Sequence, residues 1–348
     1  MAKRSWLRLG AVAVLLACVA LTVPLAGQAP AIPKPPKAPK AGWVPPKTAW
    51  GDPDISGSFT NKYEQSTPME RPAALEGRRV DDVRGDELAA LVKKRQEEAE
   101  ARAPFLAGDP TGRIRGNGAF SDRGEMGQGH RAWMIIEPAD GKIPPTTAEA
   151  QQRAAARAAA RTGRATSSFS NTGFESYLDF SLYDRCITRG LPGSMLPAIY
   201  GDSYQIVQGP GYVAIRYEMI HETRVIPLDN RPHVGRTHHL DMGDARGHWE
   251  GPSLVVETTN FRDRTAYRQA SQDSLKLVER FTRTAPDIVE WTVTINDPST
   301  WVRPWTFSLP LTMNDREPVM EYACHEGNYA ISNILSGERA EEKPGAEK

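Results

Sequence analysis

The sequence predicts a mainly β protein: an antiparallel lipocalin-like barrel or a sandwich, with peripheral N-terminal helices. Three observations predict it. First, apolar and polar residues alternate with period two. Val289, Trp291, Val293 and Ile295 stand against Glu290, Thr292, Thr294 and Asn296, and Trp305, Phe307, Leu309 and Leu311 repeat the pattern in Arg303 to Met313. Strand side chains point alternately to opposite faces, so such runs bury one face and wet the other. Second, Gly, Pro and Asn/Asp turns separate the runs, as Gly209-Pro-Gly211 separates Tyr204–Gln208 from Tyr212–Ile220. Third, helical spacing occurs in long segments only before about residue 165.

Taken in order, the chain opens with Lys3, Arg4 and Arg8, an apolar run from Leu9 to Val23, and small residues at Ala26, Gly27 and Ala29. That is the layout of a secretory signal peptide over residues 1–28, and it places the protein in the periplasm or outside the cell. The run is shorter than the roughly 20 residues of a membrane span, so no stable span is expected after cleavage. Cys18 is read as an h-region cysteine. Residues 29–47 form a Pro-rich linker. Residues 48–164 read as an irregular and helical region wrapping the core. Within it, Trp50, Ile55 and Phe59 serve as anchors, and Leu88, Leu91, Val92 and Ala99 mark an amphipathic helix from Asp86 to Arg102. The glycine-rich stretch 108–129 lacks the strand and spacing of a nucleotide loop. Trp133–Ile136 is a short strand, and Thr146-x-x-Glu149 is a capping box opening an Ala/Arg-rich helix. The antiparallel domain spans 165–336. In its second strand Val213, Ile215, Tyr217 and Met219 share a face. Residues 337–348 are a charged tail.

Lys+Arg and Asp+Glu both number 43, giving zero net charge. No basic stripe calls for nucleic acid, so the expected partner is a small-molecule ligand or substrate. After signal cleavage two cysteines are left, Cys186 and Cys324. In an oxidising compartment they form one disulfide or stay two buried thiols.

The densest chemistry lies in Gly243–Phe261. Asp244, Arg246, His248 and Glu250 fall within seven residues, between Gly243, Gly247 and Gly251. The glycines imply a tight turn that lets the backbone approach a ligand. Arg246 would clamp an oxyanion, His248 would move a proton, and Trp249 would stack on a ring. His221 closes the apolar row of its strand, and Glu279 shares parity with Leu275, Leu277 and Phe281. The pair would suit acid/base work at a cavity edge, or be an ordinary core histidine and an ion-paired glutamate. No cofactor is expected. A weaker alternative sets His239, Asp241, His248 and Glu250 around zinc or iron if the segments pair as a hairpin. A Cys186–Cys324 bond would bring Arg185, His325 and Glu326 together as ligand-binding groups. No nucleophile elbow, zincin or phosphate-loop motif occurs.

Several motifs recur together: Gly51-Asp-Pro-Asp-Ile-Ser-Gly57, Asp184-Arg-Cys-Ile187, Tyr204-Gln-Ile, Gly209-Pro-Gly-Tyr212, Arg224-Val-Ile-Pro-Leu-Asp229, Arg231-Pro-His233, the Gly243–Phe261 stretch, Trp301-x-Arg-Pro-Trp305 and Tyr322-Ala-Cys-His-Glu-Gly-Asn328. This set resembles an uncharacterised family of exported, acidobacterial-type bacterial proteins, which implies export and a single mature unit. The resulting expectation is an exported β-barrel protein that binds a small, partly apolar or aromatic molecule. The alternatives are an acid/base enzyme (lyase, isomerase or hydrolase) acting on such a molecule, and an envelope structural protein.

Overall fold

Ten strands, β1 (Gly57–Thr60), β2 (Ile135–Glu137), β3 (Ser203–Gly209), β4 (Tyr212–Tyr217), β5 (Thr223–Pro227), β6 (Asp244–Glu250), β7 (Ser253–Thr259), β8 (Lys276–Ala285), β9 (Ile288–Asn296) and β10 (Trp305–Met313), join one antiparallel sheet. The computed structural model describes residues 43–107, 129–160, 174–198 and 200–341. The expected signal peptide, most of the expected linker, nearly all of the glycine-rich stretch and the end of the expected tail lie outside the described residues. Three α-helices are described: α1 (Asp86–Ala107), α2 (Ala148–Ala160) and α3 (Ala330–Glu341). Thr147, rather than Thr146, caps α2, its Oγ1 accepting the Ala150 N–H at 3.1 Å. Thr146 bridges to Trp301 instead.

Nine strands follow the order β5-β4-β3-β1-β10-β9-β8-β7-β6 and curl into a nearly closed barrel, with β2 added beside β10. Tight hairpins set the registers. Gly209 pairs with Tyr212 around Pro210-Gly211, and Glu250 pairs with Ser253 around Gly251-Pro252. Gly211 and Gly251 hold φ of +81° and +58°, which glycine adopts without a Cβ clash. The period-two rows point inward as the sequence predicts. Val213, Ile215, Tyr217, Val289, Trp291, Val293, Ile295, Trp305, Phe307, Leu309 and Leu311 are all fully buried. Trp291 meets Phe307 edge-on at 5.5 Å and stacks near Phe281 at 6.4 Å.

The opposite faces of β9 and β10 are not wet. Glu290, Thr292, Thr294, Thr306 and Ser308 are buried as well, and they satisfy one another: Thr292 with Ser308 at 3.1 Å, Thr294 with Thr306 at 3.0 Å. Arg131 reaches Glu290, and Val83 and Leu88 share a cleft with Glu290 and Pro310. The N-terminal region therefore lies against this face, which the alternation alone did not reveal.

The edge strands β5 and β6 approach without hydrogen-bonding. Two features close that seam. Gly247 leaves room for the opposite edge, since a Cβ there would stand 2.7 Å from both Ile226 Cγ2 and Leu228 Cδ2. Arg224 on β5 also crosses to Glu279 on β8, donating from Nη1 at 2.5 Å and Nη2 at 3.1 Å, and Trp291 Nε1 donates to the same carboxylate at 3.1 Å. The pair is buried on both sides. Among the described residues no helix is long and apolar enough to cross a membrane.

Candidate functional site

The glycine-flanked stretch is a strand where a turn was expected. Asp244, Arg246, His248 and Glu250 occupy alternate positions of β6, opposite Thr259, Glu257, Val255 and Ser253 of β7, while Ala245, Gly247 and Trp249 take the other face. The alternation of four ionisable residues with Ala, Gly and Trp was itself a period-two pattern, masked by the flanking glycines. The row faces away from the barrel core, and Trp249 packs against that core rather than standing at a mouth. His248 and Glu250 are exposed, 3.1 Å apart, and Glu250 also pairs with buried Arg280 at 2.9 Å. Hydrogen bonds from His248 and Arg280 hold the Glu250 carboxyl below its ordinary pKa.

At the start of the row the geometry tightens. Asp244 is buried and takes three donors: the Val234 N–H at 2.9 Å, Arg246 Nη1 at 2.6 Å and His233 Nδ1 at 2.8 Å. Arg246 is locked further by the Pro232 and Ala245 carbonyls. A carboxylate that only accepts fixes the His233 tautomer with hydrogen on Nδ1. Its Nε2 lies 3.5 Å from Glu257, which pairs with Lys276. His233 opens on a cleft of about 310 Å³ shared with Arg236, His239, Asn260 and Lys276. Asn260, at φ +58°, shapes its wall, its Nδ2 sharing two hydrogens among the Val234, Gly235 and His238 carbonyls, each at 3.1 Å. Arg246 is thus a brace for Asp244, and His233, named in the sequence only within Arg231-Pro-His233, is the group presented outward.

A larger cleft, about 410 Å³, lies beside the cysteines. Cys186 and Cys324 are bonded, with Cα atoms 5.8 Å apart. One wall is aromatic. Tyr183 and Tyr322 both donate to the Tyr200 hydroxyl, at 3.1 and 3.5 Å, and the Tyr200 and Tyr322 rings stack at 6.1 Å. The other wall is apolar, from Phe180 and from Ile331 and Ile334 of α3. Phe180 is itself stacked on Phe174 at 4.3 Å. Burial pushes the Tyr183 and Tyr322 hydroxyls well above the usual phenol range, so they stay protonated donors.

Other predicted residues are distributed around these places. His221 does not extend its strand: β4 ends at Tyr217, and the chain turns through Met219–His221, where Ile220 and His221 take positive φ. The exposed His221 ring bonds the Tyr322 carbonyl through Nδ1 at 3.0 Å and so braces the tyrosine wall. Arg185 lies over the Tyr177 ring at 5.1 Å. His325 and Glu326 are exposed between Cys324 and Gly327, both of which line the cleft. Glu279 is inside the barrel, paired with Arg224. Among the described residues no group of three or more His, Cys, Asp or Glu could hold a metal ion. His239 bonds the Phe261 carbonyl and Asp241 pairs with Arg264, because the hairpin forms at Gly251-Pro252 and does not bring them to His248 and Glu250. Tyr183 and Tyr200 gave no sequence signal, since only the fold brings them to Tyr322. No protein-family model, curated protein or solved structure matches this chain.

Proposed function

We propose that this is an exported binding protein for a small, partly aromatic molecule, held in the cleft beside the Cys186–Cys324 bond. The observation that carries the reading is the tyrosine trio. Tyr200 accepts from both neighbours, which leaves its own hydrogen as the donor for an occupant. Aromatic and aliphatic walls with one convergent polar group are what a small-molecule site needs. Export is supported by the basic, apolar and small-residue order of residues 1–28 and by a disulfide, which persists in oxidising compartments. The resemblance to exported acidobacterial-type proteins belongs to the same proposal.

The test is titration calorimetry on the mature chain with acetophenone, an aromatic acceptor, and ethylbenzene, its apolar counterpart. Acetophenone should bind more tightly, and Tyr200→Phe should abolish the difference while leaving ethylbenzene unchanged. Equal affinities, or a Tyr200→Phe variant that discriminates as before, would overturn the reading.

A second reading rests on His233 and Asp244. An imidazole oriented by a buried carboxylate and opening on a cleft is the arrangement of a general base. It requires that His233→Gln abolish turnover of a substrate bound there while leaving affinity for it intact.

A further inference from the structure

A second histidine meets a buried carboxylate far along the chain from both clefts. Glu64 is 1% exposed. Its Oε2 accepts Thr67 Oγ1 at 2.7 Å, and its Oε1 accepts the His130 backbone N–H at 2.7 Å and faces His130 Nδ1 at 2.9 Å. A carboxylate holding three donors places the hydrogen on Nδ1, so Nε2 is the ring nitrogen that an occupant can meet. Gly129 makes this approach possible: a Cβ there would stand 2.5 Å from Thr67 Oγ1 and 2.9 Å from Glu64 Oε2.

His130 lines a cleft of about 260 Å³ whose walls include Val83, Leu88, Ile288 and Pro310. Arg131 lines it too. It pairs through Nη2 with Glu290, which also accepts from Ser308. The lining thus combines these apolar side chains with two donors, His130 and Arg131. The cleft is smaller than the roughly 300–1,000 Å³ of sites for drug-sized ligands.

We propose that this cleft binds a small amphipathic monocarboxylate, its carboxylate on His130 Nε2 and the Arg131 guanidinium and its apolar chain along Val83, Leu88 and Pro310. The surrounding charges agree with this. Glu64 and Glu290 are each occupied by the donors just named, Asp81 and Arg84 bring one charge of each sign to the rim, and Arg95 donates to the Arg131 and Ala132 carbonyls. The hydrogen bond from Glu64 raises the His130 pKa above its ordinary value, against the opposing effect of burial. The imidazolium therefore persists to higher pH, and carboxylate binding is present below the raised pKa and lost as pH rises through it.

Calorimetry on the mature chain with hexanoate and hexanamide at pH 6 and pH 8.5 tests this. Hexanoate should bind at least about tenfold more tightly than hexanamide at pH 6, a difference of about 1.4 kcal/mol, and should weaken at pH 8.5 while hexanamide does not. His130→Gln should remove the pH dependence, and Glu64→Gln should move its midpoint to lower pH. Equal binding of acid and amide by the wild-type protein, or no binding of either at millimolar concentration, would overturn the proposal. So would a folded His130→Gln variant that keeps the pH dependence.

Discussion

Replacing Glu279 by leucine tests how the barrel is held shut. Glu279 is fully buried and accepts three hydrogen bonds, two from Arg224 and one from Trp291. Burial works against the Arg224 charge, and Glu279 together with Tyr217 more than reverses it, so the guanidinium pKa stands above its ordinary value and the cation persists. Glu279→Leu leaves that cation buried without a counter-ion. Removing one partner of a buried pair costs about 3–5 kcal/mol, and the orphaned Trp291 N–H adds about 1 kcal/mol. The two share one carboxylate and do not simply add, so a loss of about 4 kcal/mol is expected. At about 2–4 °C per kcal/mol for domains of about 150–250 residues, and less for a longer chain, the midpoint should fall by at most roughly 8–16 °C. Arg224→Met combined with Glu279→Leu removes both charges and should recover most of the loss, because well-packed apolar replacements of buried pairs are often neutral or better. Urea unfolding followed by tryptophan fluorescence, with the disulfide kept oxidised, measures both. A loss below about 1 kcal/mol for the single variant, or a double variant no more stable than the single one, would refute the reasoning.

Three further expectations concern other parts of the fold. Gly247→Ala sets a methyl 2.7 Å from Ile226 and Leu228 across the seam and should destabilise by about 1–3 kcal/mol in the same assay, with no change in secondary structure by circular dichroism. Cys186→Ser with Cys324→Ser opens a loop of sequence separation 138 and should cost up to about 5 kcal/mol on the chain-entropy model. It should also weaken acetophenone binding, since both cysteines line that cleft. Asp297 is buried, and although burial alone would raise its pKa, donors from Ser274, Thr300, Ser271 and Ser299 hold it below the ordinary value. Its stabilising contribution is therefore full above the unfolded carboxylate pKa, near 4, and lost as pH falls through the lower folded value. Asp297→Asn should flatten the acid limb of the stability profile below about pH 4, as read by urea midpoints.

The strands were legible because period two survives in any half-buried sheet. Ile288–Asn296 is a strand with the bounds that alternation implies, and Trp305–Met313 differs from its expected run only at the start. The wet faces of these strands were misread, because a covering segment leaves no mark on Thr292 or Ser308, whose hydroxyls look the same facing water or each other. The glycines around Asp244–Glu250 were read as turn-forming, yet Gly247 serves a neighbouring edge strand. That role depends on Ile226 and is invisible locally. The cysteine pair was one of two open alternatives in the sequence and is bonded in the structure. The tyrosine wall and the His233–Asp244 contact are tertiary meetings of residues from separate segments, and spacing carries no information about them.

The place of β1 has a consequence for how the chain acquires its structure. Gly57–Thr60 lies between Ser203–Gly209 and Trp305–Met313. The first strand to be synthesised thus finds its partners late, the second of them in β10. Until Met313 is available, the β3–β5 meander and the β6–β9 meander have no strand to join them. Such long-range pairing belongs to the slow end of two-state folding rates. The same topology that completes the barrel thus delays its closure until the last strand has been made.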